Sequence, residues 1–295
     1  MRMRYIDLHL HSNYSDGVQT PEELVRMAKD LDMAAVALCD HDTVAGIAEA
    51  FDAGRRYGLE VLSGVELSTV YGEYEDLHLL GYGFDPDFPE LHAALRDFQG
   101  HRQERSRKMT RRINECLREE GREPLDPQRV DAMVRGAVGR PHLARLLVEM
   151  GHVRNVEEAF HRYLIPCNEP KPYFPASEAI ALVRRAGGIV VMAHPLLVSR
   201  DFDLLKELFV ELGRLGLAGI EAYATSAFPE EIEQLITIAR SLGLIVTGGS
   251  DFHGITEKNV TIGAGKGQLR IPYTCVEEIR ALLAGQMAGW NGNRS

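Results

Sequence analysis

The sequence predicts a parallel α/β architecture, a (β/α) barrel or a distorted relative of one, and two observations carry the prediction. Short apolar runs alternate with amphipathic helical stretches, which is the βα rhythm of a parallel sheet. Five or six of those runs also end in an ionisable residue, and the C-terminal ends of strands form the face on which barrels and open parallel sheets build sites. At 295 residues the chain has room for one large α/β domain carrying an insert.

The first strand, residues 5–11 (YIDLHLH), places Asp7, His9 and His11 on one face by alternation. Two imidazoles pointing the same way from a rigid element, followed by a tight turn at 13–17, suit a divalent cation. Taken alone, the pair is weak evidence and reads more readily as satisfied surface histidines. Thr20-Pro21-Glu22-Glu23 starts a helix, with Thr20 as N-cap, Pro21 in the first turn and acids beside it, running to about Leu31. Residues 34–39 then read as a strand buried on both faces, ending in Asp40-His41-Asp42. A helix over 44–57 leads to a strand at 60–65 and Glu66. Further along, 188–193 ends in His194-Pro195, 218–220 in Glu221, and 244–247 in Gly248-Gly249-Ser250-Asp251-Phe252-His253. Helices over 177–186, 203–215 and 229–242 fill the intervals. His78 breaks the pattern by starting its strand. A hairpin with arms at 68–71 and 77–82 around a turn at 72–76 returns it to the same face.

From 88 to 171 the βα rhythm stops, and the segment reads as a helical insertion subdomain docked on a barrel made of 1–87 and 172–284. Its first long helix carries Arg102, Arg105, Arg107, Lys108, Arg111 and Arg112, conspicuous in a chain of net charge -10. Glu104, Glu115 and Glu119 balance part of that face, so each arginine has a solvated reading beside a functional one. The tail, 285–295, is rich in Gly and Asn and is expected to fray, with Trp290 its one packing residue.

Composition is that of a globular protein, 45% hydrophobic and 26% charged, and excludes disorder. The acidic balance argues against a membrane surface or long DNA as partner and leaves small phosphorylated ligands open. No targeting segment or bilayer-length apolar run is legible, so a cytoplasmic location is expected. Cys39, Cys116, Cys167 and Cys275 form no Cys-x-x-Cys pair, and free thiols are expected.

Collecting the chemistry gives His9, His11, Asp16, His41, Glu66, His78, His194, Asp251 and His253. A mononuclear hydrolytic zinc site takes three protein ligands, so this set points to two or three ions sharing a bridging carboxylate. Imidazole and carboxylate ligands without thiolate suit zinc, manganese or iron. Asp7 and Asp40 read either as partners orienting those ligands or as caps of strand ends.

The blocks Asp7-Leu8-His9-Leu10-His11, Asp40-His41, Gly64-Val65-Glu66, Ala193-His194-Pro195 and Gly249-Ser250-Asp251-Phe252-His253 resemble, in order, the motifs of the PHP (polymerase and histidinol phosphatase) superfamily. The resemblance implies a distorted seven-stranded (β/α) barrel that hydrolyses phosphoesters through a hydroxide bridging its ions. It also implies one ion on His9, His11, Glu66 and Asp251, a second on Glu66, His78 and His194, and a third position at Asp16, His41 and His253. Several relatives carry histidine where Asp16 stands. Asp16 therefore either completes the third site or, with His41 and His253, serves substrate and leaving group.

Within that superfamily, Arg102-Gln103-Glu104-Arg105 and Gly139-Arg140-Pro141-His142-Leu143-Ala144-Arg145 resemble the nucleotide phosphatases, which remove the 3′-phosphate of nucleoside 3′,5′-bisphosphates and have relatives that trim short oligoribonucleotides. Arg102, Arg105, Arg140 and Lys171 become the expected phosphate-binding residues, since an arginine fork beside free helix N-terminal amides suits phosphate. A histidinol-phosphate or other small-molecule phosphomonoesterase, and a non-catalytic metal or nucleotide sensor, are the competing readings.

Overall fold

In the computed structural model of the protein, residues 4–292 are described except 134, 136–137, 172 and 255–259, and so are the side chains up to residue 286. The first strand, β1 (Ile6–Leu10), is buried throughout. Helix α1 (Pro21–Asp30) opens with the expected cap: the Thr20 side chain accepts from the Glu23 N–H and the Glu23 carboxylate returns to the Thr20 backbone. Then follow β2 (Ala35–Leu38), α2 (Ile47–Tyr57), β3 (Glu60–Tyr71) and β4 (Tyr74–Tyr82). After the insert come β5 (Phe174–Pro175), α7 (Ala176–Arg185), β6 (Ile189–Met192), α8 (Phe202–Leu215), β7 (Gly219–Ala224), α9 (Pro229–Ser241), β8 (Ile245–Gly249) and α10 (Thr274–Gly292).

The strands run β1-β2-β3-β4-β6-β7-β8, with the short β5 paired to β3 outside that path. All neighbours are parallel except β4, which is antiparallel to both β3 and β6. Beyond β8 the chain meets β1 again. Asp251 N donates to His9 O at 3.0 Å and His11 N to Phe252 O at 3.0 Å, so seven strands form a nearly closed barrel.

Two strands differ from expectation. The hairpin turn is only Gly72-Glu73, with Tyr71 opposite Tyr74 and Gly72 at φ +57°. β3 accordingly runs unbroken from Glu60 to Tyr71, which puts Glu66 in mid-strand, opposite Leu80. A run of pleat-compatible residues needs no break at a single glutamate whose side chain points inward. For the same reason β7 continues past Glu221 to Ala224. Helix α10 extends into the tail, as far as Gly292. The Trp290 side chain and residues 293–295 lie outside the described part.

The insert contains α3 (Pro89–Glu119), α4 (Pro127–Asp131), α5 (Arg140–Glu149) and α6 (Val156–Ala159), the last continued by a π-turn at Phe160–Leu164. α3 straddles two cores. Leu91 and Leu95 pack into the barrel's apolar cluster, while Met109, Ile113 and Leu117 pack with Leu143, Leu147, Tyr163 and Leu164 in a separate one. Among the described residues, no helix is long and apolar enough to cross a membrane.

Candidate metal centre

Glu66, fully buried, is the hub of the site. Its Oε2 lies 3.3 Å from Nε2 of both His9 and His11 and 3.0 Å from His41 Nδ1. Its Oε1 lies 2.8 Å from His78 Nδ1 and 3.0 Å from His194 Nε2. The mid-strand position makes this possible, since β3 carries the carboxylate into a ring of imidazoles from β1, β4 and the ends of β2 and β6. Burial pushes the Glu66 pKa up, but His41, His78 and His9 outweigh it and hold the carboxyl well below its usual range.

All nine expected ligands converge. His9, His11, Glu66 and Asp251 offer donor atoms within 4.8 Å of one another, as do His11, Asp16, His41 and His253, and His41, Glu66 and His78. The pairing differs from expectation in three places. His194, expected with Glu66 and His78, belongs to none of the three groups and approaches the centre through Glu66 Oε1. His41 joins the Glu66–His78 group as well as the Asp16 group, and His11 borders both the first and third positions. Asp16 Oδ1 is 3.2 Å from His253 Nε2. His253 and His41 hold Asp16 far below the usual carboxylate range against the opposing effect of burial.

The donor atoms fit a cation. His9 Nε2, both His11 nitrogens, His41 Nδ1, His194 Nδ1, Glu66 Oε2 and Asp251 Oδ1 are buried and make no hydrogen bond. An unsatisfied buried polar group costs about 1–3 kcal/mol, so a fold that gathers seven of them at one point is arranged for something that takes lone pairs. The set holds no thiolate, which suits zinc, manganese or iron without choosing among them.

The backbone is strained where it presents these ligands. His194 has φ +26° and ψ 60°, and Asp251 has φ +56°, conformations that L residues hold only when their surroundings enforce them. Gly249 has no alternative at its position, because a Cβ there would lie 2.1 Å from His9 Cβ.

The supporting carboxylates divide the work. Asp7, on β1, accepts from Ser250 N at 2.9 Å, Ser250 Oγ and Gly263 N, thereby holding the residue before Asp251. Burial raises its pKa to about 6 against those hydrogen bonds. Asp40 makes no hydrogen bond to His41. It accepts from Ser12 N, Ser12 Oγ and Ser15 Oγ at 2.6–2.7 Å, fixing the loop that carries Asp16. Glu221 supports two of the expected ligands: Oε1 is 3.0 Å from His9 Nδ1 and Oε2 accepts the His194 N–H at 2.8 Å. In the sequence it is one more acidic residue at the end of an apolar run, with nothing to mark two distant partners.

The insert supplies the rim. Arg102, Arg105, Arg140 and Lys171 line one cleft of ≈ 170 Å³ together with Asp16, His41 and His78. Arg102 pairs with Asp42, a buried residue at φ +54° that also accepts from Ser68 N and Oγ. Lys171 pairs with Asp76, which in turn bonds His78 Nε2 at 3.1 Å. Arg105 donates to Glu169 O and Asn168 Oδ1. Burial lowers its pKa, and the neighbouring charges of Arg140 and Arg102 lower it further. Arg140 opens α5 and lies 5.8 Å over the Phe160 ring. Asp42 and Asp76 escape sequence reasoning because their cationic partners lie 60 and 95 residues away.

A barrel with imidazole and carboxylate ligands at its mouth and a cationic rim above them defines a metal-dependent phosphoric ester hydrolase, and comparison with known proteins agrees. The PHP domain family matches residues 7–166. A "5'-3' exoribonuclease" of Haemophilus influenzae is 36% identical over 253 residues, covering 84% of this chain and 89% of the relative. A "3',5'-nucleoside bisphosphate phosphatase" of Chromobacterium violaceum is 33% identical over 272 residues, covering 88% and 91%. A solved structure from Bifidobacterium adolescentis, assigned as a metal-dependent phosphoesterase, superposes with a TM-score of 0.80 at 32% identity, covering 94% of this chain and 96% of that one. The chain belongs to the PHP domain family.

Proposed function

We propose that the protein removes the 3′-phosphate of nucleoside 3′,5′-bisphosphates and also accepts short oligoribonucleotides. The observation that carries this reading is the cleft in which Arg102, Arg105, Arg140 and Lys171 face Asp16, His41 and His78. A substrate with one phosphate at the metal centre and a second a nucleoside's length away uses both halves. Histidinol phosphate, with a single phosphate, gives this half of the cleft no second anion to hold. The relatives from H. influenzae and C. violaceum support the nucleotide class.

In this reading His9, His11, Glu66 and Asp251 hold one ion, Glu66, His78 and His194 a second, and Asp16, His41 and His253 a third or the departing oxygen. Ions bound there supply the nucleophile and neutralise charge on the phosphoryl oxygens. Glu221 holds His9 with its proton on Nδ1, leaving the Nε2 lone pair turned toward Glu66 and Asp251. Arg140 offers a bidentate fork at a helix start, and Arg105 sits beside it. The pair of Asp16 and His253, 3.2 Å apart, is placed to hold or deliver a proton at the leaving oxygen. We read residues 88–171 as the subdomain that selects the substrate, and the four free thiols suit a reducing, cytoplasmic setting.

The test compares a bisphosphate with a simple aryl phosphate. His194→Ala abolishes turnover of both. Arg140→Ala raises KM for the bisphosphate and leaves the aryl phosphate nearly unchanged. Equal losses on the two substrates for Arg140→Ala remove that residue from substrate binding.

A further inference from the structure

At the second apolar cluster two cysteines meet. Cys116 stands near the end of α3 and Cys167 follows the π-turn, and their sulfurs are 3.7 Å apart although 51 residues separate them in sequence. Cys167 is buried and Cys116 partly exposed. A disulfide needs the sulfurs at about 2.05 Å, so closing it takes an approach of about 1.6 Å. We propose that Cys116 and Cys167 form an oxidation site, a reversible intramolecular disulfide that ties the segment after the π-turn to α3.

The chemistry takes hydrogen peroxide as oxidant. Cys116, the accessible sulfur, attacks the peroxide, breaking its O–O bond to give a sulfenic acid and one water. The Cys167 sulfur then displaces the hydroxyl as a second water, forming the S–S bond. Two thiols are oxidised, one peroxide is reduced, and no other reactant is needed. Burial holds the Cys167 thiol up at about 11, with Cys116 beside it adding to the rise, which makes the second step the slower one. The bond acts next to a structural junction. The residue after Cys167, Asn168, accepts from Arg112 through its backbone oxygen at 2.9 Å and from Arg105 through Oδ1 at 2.7 Å, and Glu169 O accepts from Arg105 Nε at 2.8 Å. Closing the bond therefore fixes to α3 the strip of chain that braces Arg105.

The experiment treats the full chain with dilute hydrogen peroxide, counts free thiols, maps peptides under non-reducing conditions and follows amide hydrogen exchange. The expected result is loss of two of the four thiols, a mass lower by two hydrogens, one linked peptide pair containing Cys116 and Cys167, and slower exchange over 163–171, all reversed by dithiothreitol. Cys275→Ser keeps the linkage and Cys116→Ser abolishes it. The linkage is read in the unsubstituted protein, so a variant that fails to fold leaves the test intact. Added oxygen at Cys116 without a link, a link to a second molecule, or unchanged exchange over 163–171 overturns the proposal.

Discussion

Replacing Glu221 with glutamine keeps the shape of a buried side chain and removes one acceptor. Both carboxylate oxygens are in use, Oε1 facing His9 Nδ1 at 3.0 Å and Oε2 accepting the His194 N–H at 2.8 Å. An amide offers one acceptor and one donor group. If its oxygen keeps His194, its NH2 faces His9 Nδ1, which then has to accept. The imidazole proton moves to Nε2, the nitrogen that points at Glu66 and Asp251 at 3.3 and 3.5 Å, and the lone pair is lost to the metal. If the oxygen keeps His9, the backbone N–H of a residue at φ +26° loses its only acceptor. Either way a charge-assisted hydrogen bond worth about 1.5–3 kcal/mol disappears. Loss of a partner behind a metal ligand weakens affinity by about 10–100-fold, the same range in free energy. Competition with a chromophoric chelator measures that affinity directly, and activity falls chiefly at limiting metal. Unchanged affinity in a folded Glu221→Gln protein refutes the assignment of His9 as a ligand oriented by Glu221.

Four further outcomes are expected. Gly249→Ala, whose methyl would overlap His9 Cβ at 2.1 Å and His9 N at 2.5 Å, lowers both the unfolding midpoint and metal affinity by displacing β1. Gly100→Ala, in α3 with nothing within 4 Å of the new Cβ, raises stability by about 0.5–1 kcal/mol; denaturant titration of the pair checks both. His142 accepts from Gly139 N at 3.0 Å at the start of α5, and burial pulls its pKa down from 6.5 to about 4. The unfolded chain binds its proton first on acidification, so this contribution is full above pH 6.5 and is lost as the pH falls toward 4. It is worth on the order of 3 kcal/mol, and Tm measured across that window is flatter for His142→Gln than for the unsubstituted protein. Removal of metal by a chelator lowers Tm, because ions that bind only the folded cluster stabilise it by mass action. Recovery of Tm on adding back zinc, manganese or iron, measured for each, ranks the metals.

Much of the site was legible because the signals are local. Alternation along residues 5–11 placed His9 and His11 on one face, and apolar runs ending in His41, His194 and Asp251 marked the strand ends of a parallel barrel. Thr20 and Glu23 announced the start of α1 through a cap that spans three residues. Arg102, Arg105 and Arg140 stood out once their blocks were read together, and they do line one cleft with Lys171. Which residues Asp40 holds was not legible, since its hydrogen bonds run to Ser12 and Ser15, 28 and 25 residues away.

Composition and periodicity determined that this chain makes a largely parallel α/β architecture with ionisable residues gathered at one end, because burial on two faces and the pleat's period of two are properties of each segment alone. Tertiary structure decided what those residues do to one another. The reversal of β4 brings His78 onto Glu66, and the closure of β8 against β1 brings Asp251 within 3.1 Å of His11. The docking of the insert presses Arg102 onto Asp42 and Cys116 against Cys167. Such encounters depend on how distant elements pack, and a hydrogen bond or an ion pair decays within a few ångströms, so its existence is settled only when the fold has brought both partners to the same point.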